Sequence, residues 1–102
     1  MLLILPTARF IDLKPQQSII ADSSGTISCS AEGTPTPQIE WKRQDGIPLD
    51  EGRFIQLSNG SLYINPVHPH DNGTYICTFI QSKGSKRVTT KEQAINVLVI
   101  SE

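Results

Sequence analysis

The residues of this chain with the most obvious potential for chemistry are its two cysteines. Cys29 and Cys77 are the only thiols among 102 residues, and they lie far apart in the sequence. Structural zinc sites usually draw on clustered Cys and His ligands, often with C-x-x-C spacing, which this sequence lacks. The two thiols therefore form either one disulfide or two unrelated buried cysteines, and composition does not choose between these alternatives.

A short histidine-containing segment is the second candidate for chemistry. His68, Pro69 and His70 precede Asp71, so two imidazoles and a carboxylate stand within four residues. Those groups could in principle bind a metal ion. An exposed loop with two ordinary histidines explains the same residues, and we favour that interpretation. We therefore expect no metal site and no cofactor.

The sequence contains none of the patterns that accompany common enzyme chemistries. A Ser-His-Asp set could be assembled from its many serines, but no nucleophile-elbow glycine pattern supports one. The phosphate-binding patterns G-x-G-x-x-G and the P-loop are also absent. We expect no catalytic residues and no enzyme activity.

The charge balance argues against two classes of partner. Nine Lys and Arg stand against ten Asp and Glu, which gives a net charge of −1 with neutral histidines. The chain has neither excess cations for nucleic-acid phosphates nor a polybasic run for an anionic membrane. Its opening apolar run, residues 2–5, is far shorter than the roughly 20 residues of a membrane span. We expect no nucleic-acid partner and no direct membrane contact.

Short alternating runs between turn residues indicate an antiparallel, all-β domain of seven or eight strands. No window keeps a helical apolar stripe, and seven Gly and seven Pro punctuate the chain. Ile27, Cys29 and Ala31 share one face of a predicted strand. Asn59-Gly60 predicts a hairpin turn, because both residue types accept positive φ. The length fits one domain.

The order of several motif residues resembles the immunoglobulin superfamily. The motif residues are Cys29, Trp41 and then Asp71-x-Gly73-x-Tyr75-x-Cys77. Two further segments, Gly33-x-Pro35-x-Pro37 and Gly60-Ser61-Leu62-x-Ile64, are most similar to the intermediate, or I-set, type. The resemblance covers residues 8–100 and implies one immunoglobulin-like β-sandwich of two antiparallel sheets with Greek-key topology. Residues 1–7 are interpreted as an N-terminal extension or a cloning remnant.

The resemblance also implies roles for individual residues. Cys29 and Cys77 should form a disulfide between the sheets, with Trp41 packed beside it. Tyr75 should form the tyrosine corner, and Arg53 should pair with Asp71. Leu62 and Gly73 complete the set of signature positions. All of these roles are structural, and the role of Asp71 removes the third potential metal ligand.

The resemblance implies an extracellular recognition module of a larger cell-surface receptor or adhesion protein, membrane-anchored or secreted. Its partner would be a protein ligand or a second copy. The triplets Asn59-Gly60-Ser61 and Asn72-Gly73-Thr74 fit N-glycosylation on exposed turns, which favours the extracellular compartment. Similar intracellular muscle domains of this family fold with one or both thiols reduced. The alternatives are therefore an intracellular structural domain or an architectural spacer in a matrix protein.

Alternation predicts which residues face a partner. On one sheet, Ile76 and Ile80 share an outward face about 13 Å apart, which suits a binding patch, although β-branched residues favour strands in any case. The complete predicted face consists of Gln38, Glu40, Lys42, Ile76, Thr78 and Ile80. The other sheet should present a polar, solvated face formed by Thr26, Ser28, Ser30, Ser61, Tyr63 and Asn65.

A cationic loop is the second candidate binding site. Lys83, Lys86 and Arg87 lie at a predicted hairpin tip, where they could meet an acidic partner or a sulfated glycan. A solvated hairpin tip without a ligand is the alternative interpretation.

Overall fold

The computed structural model describes residues 8–83 and 87–101. In this part of the chain a single 3-10 turn, Pro69–Asp71, accompanies nine strands. The strands are β1 (Arg9–Ile11), β2 (Gln16–Ile20), β3 (Gly25–Ile27), β4 (Ser30–Glu32), β5 (Gln38–Arg43), β6 (Phe54–Gln56), β7 (Leu62–Ile64), β8 (Gly73–Lys83) and β9 (Arg87–Ile100). The prediction of an all-β fold is confirmed.

The strands form two layers around one core. One layer is a four-stranded sheet with the order β2-β9-β8-β5. The other layer contains β3-β7-β6 and the pair β1-β4, because β3 and β4 are two parts of one strand interrupted at Ser28 and Cys29. The predicted sandwich of two facing sheets is thus confirmed.

The first edge of the sandwich differs in detail from the sequence-based expectation. From the sequence pattern, residues 18–20 could resume an edge strand that begins at Arg9. Instead β1 pairs antiparallel with β4, and β2 pairs parallel with β9 in the opposite layer. Asp12, with a φ of 48°, and Pro15 lie between them. A positive φ and a proline both break a regular strand, so the chain crosses from one layer to the other here.

Alternation along the strands fills the space between the layers. Side chains that point inward form one buried cluster: Ile19, Ile27, Cys29, Phe54, Leu62, Ile64, Val67, Tyr75, Cys77, Ile95 and Val97. Ile39 and Trp41 of β5 pack against this cluster and are partly buried. Burying one large apolar side chain contributes about 1.5–3 kcal/mol, so this cluster is the main stabilising element.

The turn between β6 and β7 has three residues, Ser58 to Gly60. The Leu57 amide donates to the Ser61 carbonyl, and the Gly60 amide donates to the Leu57 carbonyl. The predicted hairpin turn is present, and within it Gly60 has a positive φ, 97°, whereas Asn59 does not. A three-residue loop needs the left-handed conformation only at its last position. A Cβ on Gly60 would lie 2.7 Å from Ile39 Cγ1, so the position also requires a glycine for space.

The outer face of the β3-β7-β6 layer is less uniformly polar than alternation predicts. Ser61 was expected outside but is only 4% exposed, because the turn folds back on it and the Asn59 side chain accepts its amide proton at 2.9 Å. Ile55, in contrast, is exposed on this face opposite Tyr63. The predicted polar face therefore lacks Ser61 and includes an exposed isoleucine.

Candidate functional site

A disulfide between Cys29 and Cys77 joins the two layers at their centre. Both cysteines are buried. Trp41 lies opposite Cys77 in the β5–β8 register, and its indole Nε1 donates to the carbonyl of Gly60 at 2.7 Å. The indole thus connects β5 to the β6–β7 turn across the sandwich.

An ion pair closes the end of the sandwich where β8 begins. Arg53 Nη1 and Nη2 donate to the two carboxylate oxygens of Asp71 at 2.7 and 2.9 Å. Asp71 is only 2% exposed, and it also accepts the His68 amide proton at 2.8 Å. Burial by itself would raise the pKa of Asp71, but the bonds from Arg53 and the His68 amide outweigh it and hold the pKa below its usual value.

Tyr75 and Arg43 extend this cluster. The Tyr75 hydroxyl donates to the Asp71 carbonyl at 2.7 Å, as in a tyrosine corner. Arg43 Nη1 donates to the Tyr75 hydroxyl at 3.0 Å, and its guanidinium pairs with Asp45. Burial raises the pKa of Tyr75, although the nearby guanidinium of Arg43 opposes this effect. The hydroxyl therefore stays protonated as a donor.

Three of the polar residues that stabilise the sandwich were missed by the sequence analysis. Arg43 and Gln81 point inward, and alternation continued from Trp41 and Phe79 would have indicated this. The buried Gln81 side chain accepts the Ala8 amide proton and donates to the Pro35 carbonyl. Gln17 accepts the Ser28 amide proton at 2.7 Å and donates to the Ser28 carbonyl at 2.8 Å. No sequence signal indicated this contact, since it depends on the point between β1 and β2 at which the chain crosses from one layer to the other.

The two histidines lie beside this cluster without converging on a common point. The rings of His68 and His70 stack with centroids 5.1 Å apart. His70 Nε2 is 4.0 Å from Asp71 Oδ1, while the Asp71 oxygens bind Arg53 and the His68 amide. Among the residues that the structure describes, no group of three or more His, Cys, Asp or Glu is arranged to hold a metal ion.

The outer face of the β2-β9-β8-β5 sheet brings together the six residues that alternation placed there. In register, Gln38 lies beside Ile80 and Thr90, and Glu40 lies beside Thr78 and Glu92. The third row contains Lys42, Ile76 and Ala94. We call these three rows the upper face.

On the upper face, apolar and charged side chains lie close to one another. Ile76 and Ile80 are each partly exposed. Lys42 Nζ lies 3.6 Å from Glu92 Oε2, and both side chains are largely exposed. Such an exposed ion pair contributes at most about 1 kcal/mol to stability, so these charges are available to a partner. The face can bury two isoleucines and offer both signs of charge.

A second apolar group lies on the same sheet, nearer the end of β9. Leu98 is 56% exposed, and Ile20 and Ile100 are each 44% exposed. In the parallel register Ile20 lies opposite Ile100, and Ser18 lies opposite Leu98. We call Ile20, Leu98 and Ile100 the lower apolar patch. Local alternation does not predict this patch, because Ile20 lies on the edge strand that pairs in parallel with β9.

The cationic loop lies largely beyond the described structure. Residues 84–86, which include Lys86, are outside the described ranges, and Lys83 and Arg87 are described only as backbone ends of β8 and β9. Its predicted acidic or sulfated-glycan partner stays a prediction. Asn59 and Asn72, the two candidate glycosylation residues, are both exposed. Within residues 8–83 and 87–101, no helix is long and apolar enough to cross a membrane.

Comparison with known proteins places this sandwich among related domains. Residues 10–79 match the family model described as immunoglobulin domain. The chain is 37% identical over 79 residues to rat immunoglobulin superfamily member 10, covering 71% of this chain and 3% of that protein. It is 34% identical over 82 residues to human Roundabout homolog 3, covering 80% of this chain and 6% of that protein.

A solved structure of related domains has a similar fold. Extracellular domains 3–5 of Drosophila OTK match with a TM-score of 0.69 and 27% identity, over 91% of this chain and 31% of that one. The chain therefore spans less than a tenth of either sequence relative and about a third of this structure. Because the family model matches more than half of the chain, and the fold and disulfide agree with it, the chain belongs to the immunoglobulin domain family.

Proposed function

We propose that this domain is a non-catalytic, extracellular recognition module of a cell-surface receptor or adhesion protein, and that it binds a protein through its upper face. The observation that carries the proposal is the pair of isoleucines, Ile76 and Ile80, which are partly exposed among charged residues on one face of a sheet. Protein-binding sites commonly combine an apolar centre with a polar rim. Glu40, Lys42 and Glu92 supply such a rim.

Two observations support the extracellular compartment. The buried cystine joining Cys29 to Cys77 suits an oxidising environment, since cytosolic thiols are kept reduced. The matched OTK structure consists of extracellular domains. The parent would be larger than this chain, as the matched relatives are.

The compartment is tested by counting thiols in native material. Protein taken from its source is denatured without reductant and labelled with a thiol reagent. We expect no label on Cys29 or Cys77. Stoichiometric labelling of both would overturn the extracellular assignment and favour an intracellular structural domain of the muscle-filament type.

The binding face is tested with a pair of matched variants. The domain is multimerised and used to probe a panel of cell-surface ectodomains, with the domain itself included to detect binding between copies. We expect the double variant Ile76→Thr/Ile80→Thr to lose binding to any ectodomain that the wild type captures. Ile55→Thr, the same change on the outer face of the opposite sheet, should bind like wild type.

The result that contradicts the proposal is equally specific. Unchanged capture by the folded double variant, or an equal loss in Ile55→Thr, would show that the upper face is not the binding surface. Capture of no ectodomain by the wild type would favour the architectural spacer instead. Far-ultraviolet circular dichroism and thermal unfolding confirm that each variant is folded.

A further inference from the structure

The exposed side chain of Asn72 is held in a fixed position at the start of β8. Its backbone amide donates to the Pro69 carbonyl at 3.2 Å, and its own carbonyl accepts from Arg43 Nη2 at 3.2 Å. Its side-chain Oδ1 accepts the Val99 amide proton at 2.9 Å. Among the described residues, Nδ2 makes no hydrogen bond. This nitrogen is therefore the one polar atom of Asn72 that the fold leaves available.

Asn72 begins the triplet Asn72-Gly73-Thr74, which fits the acceptor pattern for N-linked glycans. A glycan attached to Nδ2 leaves Oδ1 free to keep the bond from Val99. Attachment therefore breaks none of the contacts that position Asn72.

The lower apolar patch begins at the residue next to Asn72 on the neighbouring strand. Gly73 lies opposite Val97 in the β8–β9 register, so Asn72 comes next to Leu98. Ile100 follows Leu98 on the same outward face, and Ile20 lies opposite Ile100 on β2. Contiguous exposed apolar side chains on a soluble domain indicate a covered surface. A sugar ring presents a C–H face that can cover such side chains.

We propose that Asn72 carries an N-linked glycan whose first sugars lie over Leu98 and Ile100. The glycan shields the lower apolar patch and limits protein contact on this sheet to the upper face. The inference rests on the proposed extracellular function, since the modification takes place in the secretory pathway. In the transfer, Asn72 Nδ2 loses one proton and bonds to the anomeric carbon of the oligosaccharide. The bond from that carbon to the lipid-pyrophosphate donor breaks, and the lipid pyrophosphate leaves with the bonding electron pair and, overall, with the proton lost by Nδ2.

The other acceptor triplet, Asn59-Gly60-Ser61, provides a second potential glycosylation site in the same chain for comparison. Asn59 lies in the β6–β7 turn, where its carbonyl accepts from Ser30 Oγ and its Oδ1 accepts the Ser61 amide proton. Gly60 of this turn packs against Ile39 near the start of β5, whereas Asn72 accepts from Arg43 at the other end of that strand. A glycan on Asn59 is therefore attached at the opposite end of the sandwich, so its first sugars do not lie over Leu98.

Occupancy is tested by secreting the full chain from cultured animal cells behind a heterologous signal peptide. Intact mass and glycopeptide analysis should find a glycan on Asn72 in the wild type and in Thr74→Ser, and its loss in Thr74→Val. Thr74 Oγ1 donates to Asn96 Oδ1 at 2.9 Å. Asn96→Ala removes that bond but keeps the triplet, so it controls for the structural effect of Thr74→Val. An unmodified Asn72 in the secreted wild type overturns the proposal.

Shielding is tested on the same proteins by nuclear magnetic resonance and by the fluorescence of an apolar dye. We expect cross-peaks between the first sugar and the Leu98 methyl groups. Dye fluorescence should rise in Thr74→Val, and Leu98→Ser should abolish that rise while leaving the glycosylated protein unchanged. An equal effect of Leu98→Ser with and without the glycan would overturn the proposal. Because the signal peptide forces secretion, these results are independent of the thiol and capture tests of the proposed function.

Discussion

At the scale of single residues, Asp71 shows how one buried charge stabilises the fold. Its carboxylate binds Arg53 at two oxygens and caps the 3-10 turn through the His68 amide. Its backbone carbonyl accepts the Tyr75 hydroxyl. Removing one partner of such a pair leaves an uncompensated buried charge, which costs about 3–5 kcal/mol. An exposed pair such as Arg9–Glu32 contributes at most about 1 kcal/mol.

We therefore expect Asp71→Asn to lower the free energy of unfolding by about 3 kcal/mol or more, and Glu32→Gln by at most about 1 kcal/mol. The folded pKa of Asp71 lies below its unfolded value, so its contribution is present above about pH 4 and lost as pH falls through the folded pKa. Urea unfolding at pH 7 and in acid measures both effects. Equal losses in the two variants, or an acid sensitivity that Asp71→Asn retains, would contradict this account.

At the scale of elements, the chain crosses from one layer to the other between β1 and β2. This crossing leaves a gap in the backbone hydrogen bonding at Ser28, and a side chain fills it. Ser28 and Cys29 separate β3 from β4. The Gln17 amide accepts the Ser28 N–H and donates to its carbonyl, so it replaces the missing backbone ladder. A backbone group left without a partner costs about 1–3 kcal/mol. Gln17 is therefore a structural requirement of the crossing, while its neighbour Gln16 is exposed.

We expect Gln17→Leu to reduce the free energy of unfolding by about 1–3 kcal/mol and to speed hydrogen exchange at the Ser28 amide. Gln16→Leu, one position away on the exposed side, should change stability by less than about 0.5 kcal/mol. Denaturant unfolding and amide exchange followed by nuclear magnetic resonance measure the two effects. Unchanged protection of Ser28 in Gln17→Leu would show that the side chain does not replace the ladder.

At the scale of the whole molecule, the cystine between Cys29 and Cys77 constrains the unfolded chain. The two residues are 48 positions apart, and closing a loop of this size contributes about 4 kcal/mol in the chain-entropy description. A domain of about 100 residues has roughly 5–15 kcal/mol of total stability. The disulfide is thus a large part of what keeps this small sandwich folded.

We expect Cys29→Ala/Cys77→Ala to lose about 4 kcal/mol of unfolding free energy. Reductant should destabilise the wild type by a similar amount and leave the double variant unaffected. Urea unfolding with and without reductant tests this expectation. A wild type that unfolds at the same urea concentration in both conditions would contradict it.

The sequence by itself determined the fold class, the family and the inward positions of the central strands. Alternation has a period of two and acts locally, so it places Tyr75 and Cys77 inside and Ile76 outside without further information. The order of Cys29, Trp41 and the motif Asp71-x-Gly73-x-Tyr75-x-Cys77 then gave the resemblance to the family. The same alternation, continued by one more inward position on β5 and on β8, would have identified Arg43 and Gln81 as inward-facing residues.

Only the tertiary structure decided how much of each side chain is covered, because burial depends on neighbours from distant parts of the chain. Ser61 faces outward by alternation, yet the turn of its own hairpin covers it. Leu98 and Ile20 are exposed together only because β2 crosses to pair in parallel with β9. That crossing brings residues about 80 positions apart into register, which no local pattern encodes. The lower apolar patch beside Asn72 is a product of this non-local pairing.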